Sequence, residues 1–254
     1  MGLLARQEAA RLVAEFLAAR GSDAPNAWLA VYQALLWYDT VGGARLPHIM
    51  EVSALRQGAW RRRAEEVHAH LAGAFNLEPH EVPGNVDRLL SLPSFVGQQR
   101  QNPLGQGFVG AIHGALSALG APHISYRTEA PSTDFFPGIR IPGRTTIPRI
   151  DLAALRDDSL VAVLSAKWSL RHDRLNDITN ECPVYKEAAF RHWRRRPYYY
   201  VVTNEFSPAR LRRLVEDPCV DAVIHVHAPL VTQVCGLDIA VADLTDLIQL
   251  TFGW

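Results

Sequence analysis

Near the middle of the chain, two residues of opposite charge terminate two apolar runs. Asp151 ends Pro148-Arg149-Ile150-Asp151, and Lys167 ends Val161-Ala162-Val163-Leu164-Ser165-Ala166-Lys167, sixteen positions later. If the runs are paired strands, a hairpin brings the carboxylate and the ammonium group to the same end of a sheet. Hydrolysis of a phosphodiester calls for a divalent cation to polarise the phosphate, a generated hydroxide, and positive charge near the developing negative charge. Asp151 suits the cation, and Lys167 can orient or deprotonate the attacking water. One carboxylate rarely suffices for Mg²⁺, which takes oxygen ligands and keeps several waters. Ser165, two before the lysine, supplies no second one. A helix starting near Arg171 carries Glu181 about two turns beyond Arg174, from where its carboxylate can swing toward Asp151.

The segment Arg171-His172-Asp173-Arg174 follows directly. Arginine pairs bidentately with guanine O6 and N7, and a carboxylate accepts from cytosine N4. Arg171 and Arg174 flanking Asp173 therefore match two adjacent G·C pairs, and two subunits about a two-fold axis read CCGG. Alone, these four residues read more readily as a solvated helix start held by ion pairs.

Asp151 with Ser165-Ala166-Lys167 resembles the PD-(D/E)xK nuclease motif in its S-x-K variant. Lys167-x3-Arg171-x-Asp173-Arg174-x6-Glu181 is similar to the signature of type II restriction endonucleases that cut sites with a CCGG core. The resemblance spans about Pro148 to Glu181, with weaker support from Tyr198–Asn204. It implies that Asp151 and Glu181 are metal ligands, Lys167 the catalytic lysine, and Arg171, Asp173 and Arg174 the base readers. Ser165 then marks the place vacated by the usual acid, and the Ala166 carbonyl completes the metal shell. It further implies Mg²⁺ as cofactor, double-stranded DNA as substrate, 5′-phosphate ends, a homodimer or tetramer, and a companion DNA methyltransferase in the cell. Two departures stand: Pro148 and Asp151 are not adjacent, and the family's upstream glutamate has no clear match and is left unassigned, the helix in that place offering Gln98, Gln101 and Gln106, with Glu51, Glu65 and Glu66 further back.

Other patterns compete. Gly105-Gln106-Gly107-Phe108-Val109-Gly110 satisfies G-x-G-x-x-G, and Glu129 follows at a suitable distance, so an NAD(P)-binding enzyme is an alternative. A dinucleotide loop needs an apolar strand before its first glycine. The residues there, Gln98-Gln99-Arg100-Gln101-Asn102-Pro103, cannot be a buried parallel strand. A Gly-rich helix start that packs closely is the plainer reading. His225 and His227 alternate on a strand without a suggested third ligand, which favours ordinary strand histidines over a metal site. Arg191-His192-Trp193-Arg194-Arg195-Arg196 ends a helix, where cations complement the macrodipole. Arg61-Arg62-Arg63 beside Glu65-Glu66 reads as an exposed face. A further alternative is a non-catalytic, sequence-specific DNA-binding protein on the same scaffold.

The elements that must position these residues follow from periodicity. Amphipathic helices are expected through the first ninety-odd residues, and a change of texture at SLPSFVGQQRQNPLGQGF precedes a helix over Gly110–Leu119. Strands are expected at His123–Glu129, Gly138–Ile141, Ile147–Leu152, Leu160–Lys167, Tyr198–Thr203 and Ala222–His227, with helices at Arg171–Trp193 and Pro208–Glu216. The pattern predicts an α/β, restriction-endonuclease-like mixed β-sheet flanked by helices. Residues 1–97 form an N-terminal helical region and 98–254 a catalytic and DNA-recognition core.

With 254 residues, 48% of them hydrophobic and 20% charged, the chain can bury a sizeable core. Lys+Arg and Asp+Glu balance at 26 each, which excludes a bulk polyanion binder and requires any DNA-binding surface to be local. We expect Lys167, Arg171, Arg174 and Arg194–Arg196 to line one basic cleft. Cys182, Cys219 and Cys235 are far apart and without C-x-x-C spacing, and are expected to be reduced, mostly buried thiols. The charges within LLARQEAARLVAEFLAAR argue against a signal peptide or a membrane span, so a cytoplasmic protein without membrane association is expected.

Overall fold

The computed structural model describes residues 102–254, except 169, 171, 206, 226, 227, 229, 230 and 233–239, together with residues 6, 7, 9–11, 13, 14 and 18. Side chains are described from Gly105 onward in the main part. The expected helices between residues 19 and 97, and Glu51, Glu65, Glu66, Arg61–Arg63, Gln98, Gln101, Arg171, His227 and Cys235, lie outside the described residues. The chain divides into two compact units, Met1–Ala115 and Leu116–Trp254.

Within the first unit, residues 6, 7, 9–11, 13 and 14 are helical, as is the beginning of helix α1 (Asn102–Leu119). Gly105, Gly107 and Gly110 all lie inside α1. A Cβ on Gly110 would collide with the Arg6 backbone, and one on Gly114 would sit 2.9 Å from the Ala10 Cα. These glycines let two helix backbones approach, with Ala9, Val13, Phe108 and Ile112 buried around them. A phosphate-cradling loop is thereby excluded, and with it the NAD(P) alternative: G-x-G-x-x-G is helical here rather than a strand-to-helix turn.

The second unit is built on a five-stranded sheet in the order β1 (Ser125–Pro131), β2 (Arg149–Arg156), β3 (Ser159–Lys167), β4 (Tyr198–Thr203), β5 (Ala222–His225). The first three strands are antiparallel neighbours, and β3, β4 and β5 run parallel. Helix α2 (His172–Trp193) connects β3 to β4, helix α3 (Pro208–Val215) connects β4 to β5, and helix α4 (Leu244–Thr251) lies near the C-terminus. The expected α/β class with a mixed sheet and flanking helices is therefore found.

Local chemistry explains the pairing. Arg156 faces Ser159 across a two-residue loop, Asp157-Asp158, whose φ values of 48° and 61° are those of a type I′ hairpin turn. Leu152, Ala153 and Ala154 of β2 and Ala162, Val163 and Leu164 of β3 are all buried, because the centre of the sheet is covered on both faces. On one face, Tyr185 of α2 stacks on Tyr199 of β4 (6.5 Å between centroids) and on Phe136 (5.7 Å). Such ring pairs contribute about 1 kcal/mol each beyond their buried area.

Two expectations fail here. Gly138–Ile141 is not a strand. Phe136-Pro137-Gly138-Ile139 and Ile141-Pro142-Gly143-Arg144 are successive turns, each closed by an N–H···O=C bond of 3.1 Å and each with its glycine at positive φ (73° and 78°). Proline followed by a left-handed glycine is the type II turn signature, which outweighs the β-branched residues between. Nor are the cysteines all reduced. Cys182 of α2 and Cys219, in the turn before β5, form a disulfide, since the fold brings to contact two thiols that are 37 residues apart in sequence.

Candidate active site

Asp151 lies on β2 and Lys167 is the last residue of β3. The tight β2–β3 hairpin places them side by side, with Lys167 Nζ 2.5 Å from Asp151 Oδ2. The same oxygen accepts the Ala166 backbone N–H at 2.9 Å, and the Ser165 hydroxyl approaches it at 3.4 Å. Three donors thus converge on Oδ2, and among the described residues Oδ1 is the oxygen left open to a cation. In an antiparallel ladder a residue's N–H and C=O lie on one strand edge. The Ala166 carbonyl therefore lies on the same edge as its N–H.

Glu181 sits on the buried side of α2, and its side chain keeps only 12% of its surface exposed. Its carboxyl pKa is pushed up to about 7 by desolvation, against the pull of Arg144 and Lys167 and with the repulsion of Asp151 and Asp177. Glu181 therefore shares one electrostatic environment with Asp151 and Lys167. Arg144 forms an ion pair with Glu181, Nη1 lying 2.7 Å from Oε1. Asp151, Ser165, Ala166 and Lys167, selected from sequence, thus meet at one carboxylate oxygen, whereas the direct ion pair of Glu181 is with Arg144. Among the described residues no three His, Cys, Asp or Glu side chains form a metal-binding group.

The segment after Lys167 is held by residues not singled out from sequence. The Asn204 N–H donates to the Trp168 carbonyl at 3.2 Å, and the buried Glu205 accepts the Leu170 N–H at 2.8 Å, the Ser207 N–H at 2.8 Å and the Arg210 guanidinium at 3.1 Å. These bonds fix where α2 begins relative to the end of β3. At that beginning, Asp173 and Arg174 are exposed (side chains 59% and 47%), as base-reading groups must be. Arg174 lies 4.0 Å from Asp173 and 3.7 Å from Asp177. Arg171 is outside the described residues.

The expected single basic cleft is not formed. Arg194–Arg196 follow the far end of α2, about 30 Å along the helix from Arg174 at 1.5 Å per residue. There Arg194 and Arg196 cover the Phe190 ring, at 5.8 Å and 5.2 Å from its centroid. The 22-residue length of α2 separates the two groups. Of the strand histidines, His225 is fully buried.

No protein-family model matches the sequence, and no curated protein sequence matches it. Solved structures do resemble it. Metal-depleted Ecl18kI in complex with uncleaved, modified DNA aligns over 99% of this chain and 82% of its own, with a TM-score of 0.42 and 13% identity. Metal-depleted Ecl18kI with uncleaved DNA aligns over 96% and 78%, with the same score and identity. Similarity of this degree carries no functional argument. No helix among the described residues is long and apolar enough to cross a membrane.

Two further features escape sequence reading. Arg144 is 37 positions from Glu181, and no local pattern links them. Glu129 holds a positive φ of 50° within β1 and pairs with Arg149 at 3.5 Å. Such a conformation in a non-glycine residue costs about 1 kcal/mol.

Proposed function

We propose that this protein is a type II restriction endonuclease: a Mg²⁺-dependent, sequence-specific enzyme that cleaves double-stranded DNA at a palindrome containing CCGG and leaves 5′-phosphate ends. The observation that carries the reading is the direct contact of Asp151 with Lys167 at the ends of paired strands, followed in the chain by an exposed Asp173-Arg174 pair and a buried Glu181 on the same helix. The donor set fits Mg²⁺, which is held by one or two carboxylates and completes its shell with water. Asp151 and Glu181 would hold the ion together with the Ala166 carbonyl. When bound, it would polarise the scissile phosphate and lower the pKa of an attacking water.

The chain's own groups account for the rest. Lys167, held by Asp151 at the end of β3, is placed to orient or deprotonate the water and to offset charge developing on the phosphate. Ser165 and the Ala166 N–H keep the Asp151 carboxylate in one orientation. Arg171, Asp173 and Arg174 read the G·C pairs, and a second copy about a two-fold axis supplies the other half-site. The reading includes a homodimer that can assemble further to a tetramer, a cytoplasmic location, and a companion methyltransferase that protects the host's own sites.

Incubating purified protein with a sequenced plasmid and Mg²⁺ tests this. The expected result is discrete fragments whose ends map to CCGG-containing sites and carry 5′-phosphates. Intact plasmid across metal concentrations, or cutting governed by DNA structure instead of sequence, would refute it.

A further inference from the structure

We propose that Arg144 is a positioning residue for the metal-binding carboxylate of Glu181, and that Asp177 ties this arrangement to the base-reading Arg174. The proposal rests on the nuclease reading above. It starts from the turn Ile141-Pro142-Gly143-Arg144. Gly143 adopts a left-handed φ of 78°, the Arg144 N–H closes onto the Ile141 carbonyl at 3.1 Å, and Ile141 is buried. The base of the loop is closed by the Ser132 N–H donating to the Pro148 carbonyl at 2.9 Å, and Phe136 anchors the loop's other end on Tyr185. Arg144 is therefore delivered to α2 from a fixed backbone.

Its guanidinium spans two carboxylates one helical turn apart. Nη1 contacts Glu181 Oε1 and Nη2 contacts Asp177 Oδ1, both at 2.7 Å. Like charges at i and i+4 repel, and the planar fork of arginine suits simultaneous contact with both. Arg144 engages Glu181 at Oε1, and in this proposal Oε2 is the oxygen turned to the cation. Groups that orient a metal ligand typically change metal affinity about 10–100-fold when removed. Asp177 is shared: its other oxygen, Oδ2, faces Arg174 Nη1 at 3.7 Å. When Arg174 turns to a base edge, Asp177 is left to Arg144 alone, so the reader and the residue that positions the metal ligand meet at one carboxylate.

The test measures Mn²⁺ binding to the full chain without DNA, by the loss of the free-ion electron paramagnetic resonance signal. The Mg²⁺ dependence of plasmid cleavage is recorded in parallel. R144A is expected to bind Mn²⁺ about tenfold more weakly and to need correspondingly more Mg²⁺, with cleavage recovering toward the wild-type rate at saturating metal. R144K, which restores a cation, should regain part of the loss. Wild-type affinity or tighter binding in R144A would overturn the proposal, because Arg144 would then be a bystander or a competitor of the ion. A lowered cleavage plateau with unchanged Mn²⁺ affinity would overturn it too. If R144A does not fold, R144Q is judged by the same outcomes. A folded wild-type protein that neither binds Mn²⁺ nor cuts DNA would remove the nuclease reading itself, whereas failure confined to the Arg144 variants leaves that reading intact.

Discussion

Lys167 Nζ lies 2.5 Å from Asp151 Oδ2, a contact made between neighbouring strands whose connecting loop is only two residues long. The short hairpin holds the two groups together, and in the proposed nuclease reading that pairing would supply a cation-binding acid beside a water-orienting amine, as phosphodiester hydrolysis requires.

Asp151→Ala or Lys167→Ala should therefore abolish cleavage while leaving sequence-specific DNA binding largely intact. For the lysine alone a fall of about 10²–10⁴-fold is expected from the loss of positioned proton transfer. Single-turnover cleavage assays and gel-shift titrations separate the two effects. Full cleavage by either variant would sink the catalytic assignment.

Glu181 predicts two opposite pH dependences. Its folded-state pKa of about 7 lies above the ordinary 4.5, chiefly because burial disfavours the anion. Its contribution to stability is full below the ordinary value and is lost as pH rises through about 7. The melting temperature of Glu181→Gln relative to wild type should accordingly rise between pH 5 and pH 8 buffers. Metal binding needs the ionised carboxylate, so the wild-type Mg²⁺ requirement should fall over the same interval. Thermal melts without metal and Mg²⁺ titrations of cleavage measure these trends, and a flat response in both would contradict the assignment.

Arg174→Ala should weaken discrimination at one G·C pair by about 1–3 kcal/mol, the worth of a bidentate contact. Cleavage of substrates altered one base at a time reports this directly. Undiminished preference for the intact site would remove Arg174 from the readout.

Glu205→Ala should destabilise the fold by about 1–3 kcal/mol, because it strips a buried acceptor from the Leu170 and Ser207 N–H groups, while the exposed Arg210 can turn to water. Denaturant unfolding would show the change. Because Glu205 also holds the segment leading to Arg171, the variant should lose discrimination as well as stability. A variant of wild-type stability would mean that the Leu170 and Ser207 bonds are replaced by water.

What the sequence alone determined is what short-range chemistry dictates. Alternation and β-branching marked β2, β3 and β4 to within a few residues, and Tyr198–Thr203 without error. The hairpin brought Asp151 and Lys167 to one end of the sheet, but the face on which they meet also depends on a one-residue register shift between Ala154 and Leu155, which the sequence did not announce. Proline-glycine punctuation was equally local, and weighting it above the intervening Ile139 and Ile141 would have removed the false strand at Gly138–Ile141. Only the tertiary structure decided which distant groups meet. Arg144 reaches Glu181 through a folded loop, Glu205 reaches Leu170 across a parallel strand pair, and Cys182 finds Cys219 across a β-α crossover. The same holds for the Gly105–Gly110 spacing, which suits a phosphate loop or a close helix crossing: Gly110 became part of a crossing because another helix lies against it. Side-chain pairing over such separations depends on where loops close and helices point, and neither composition nor periodicity encodes that geometry.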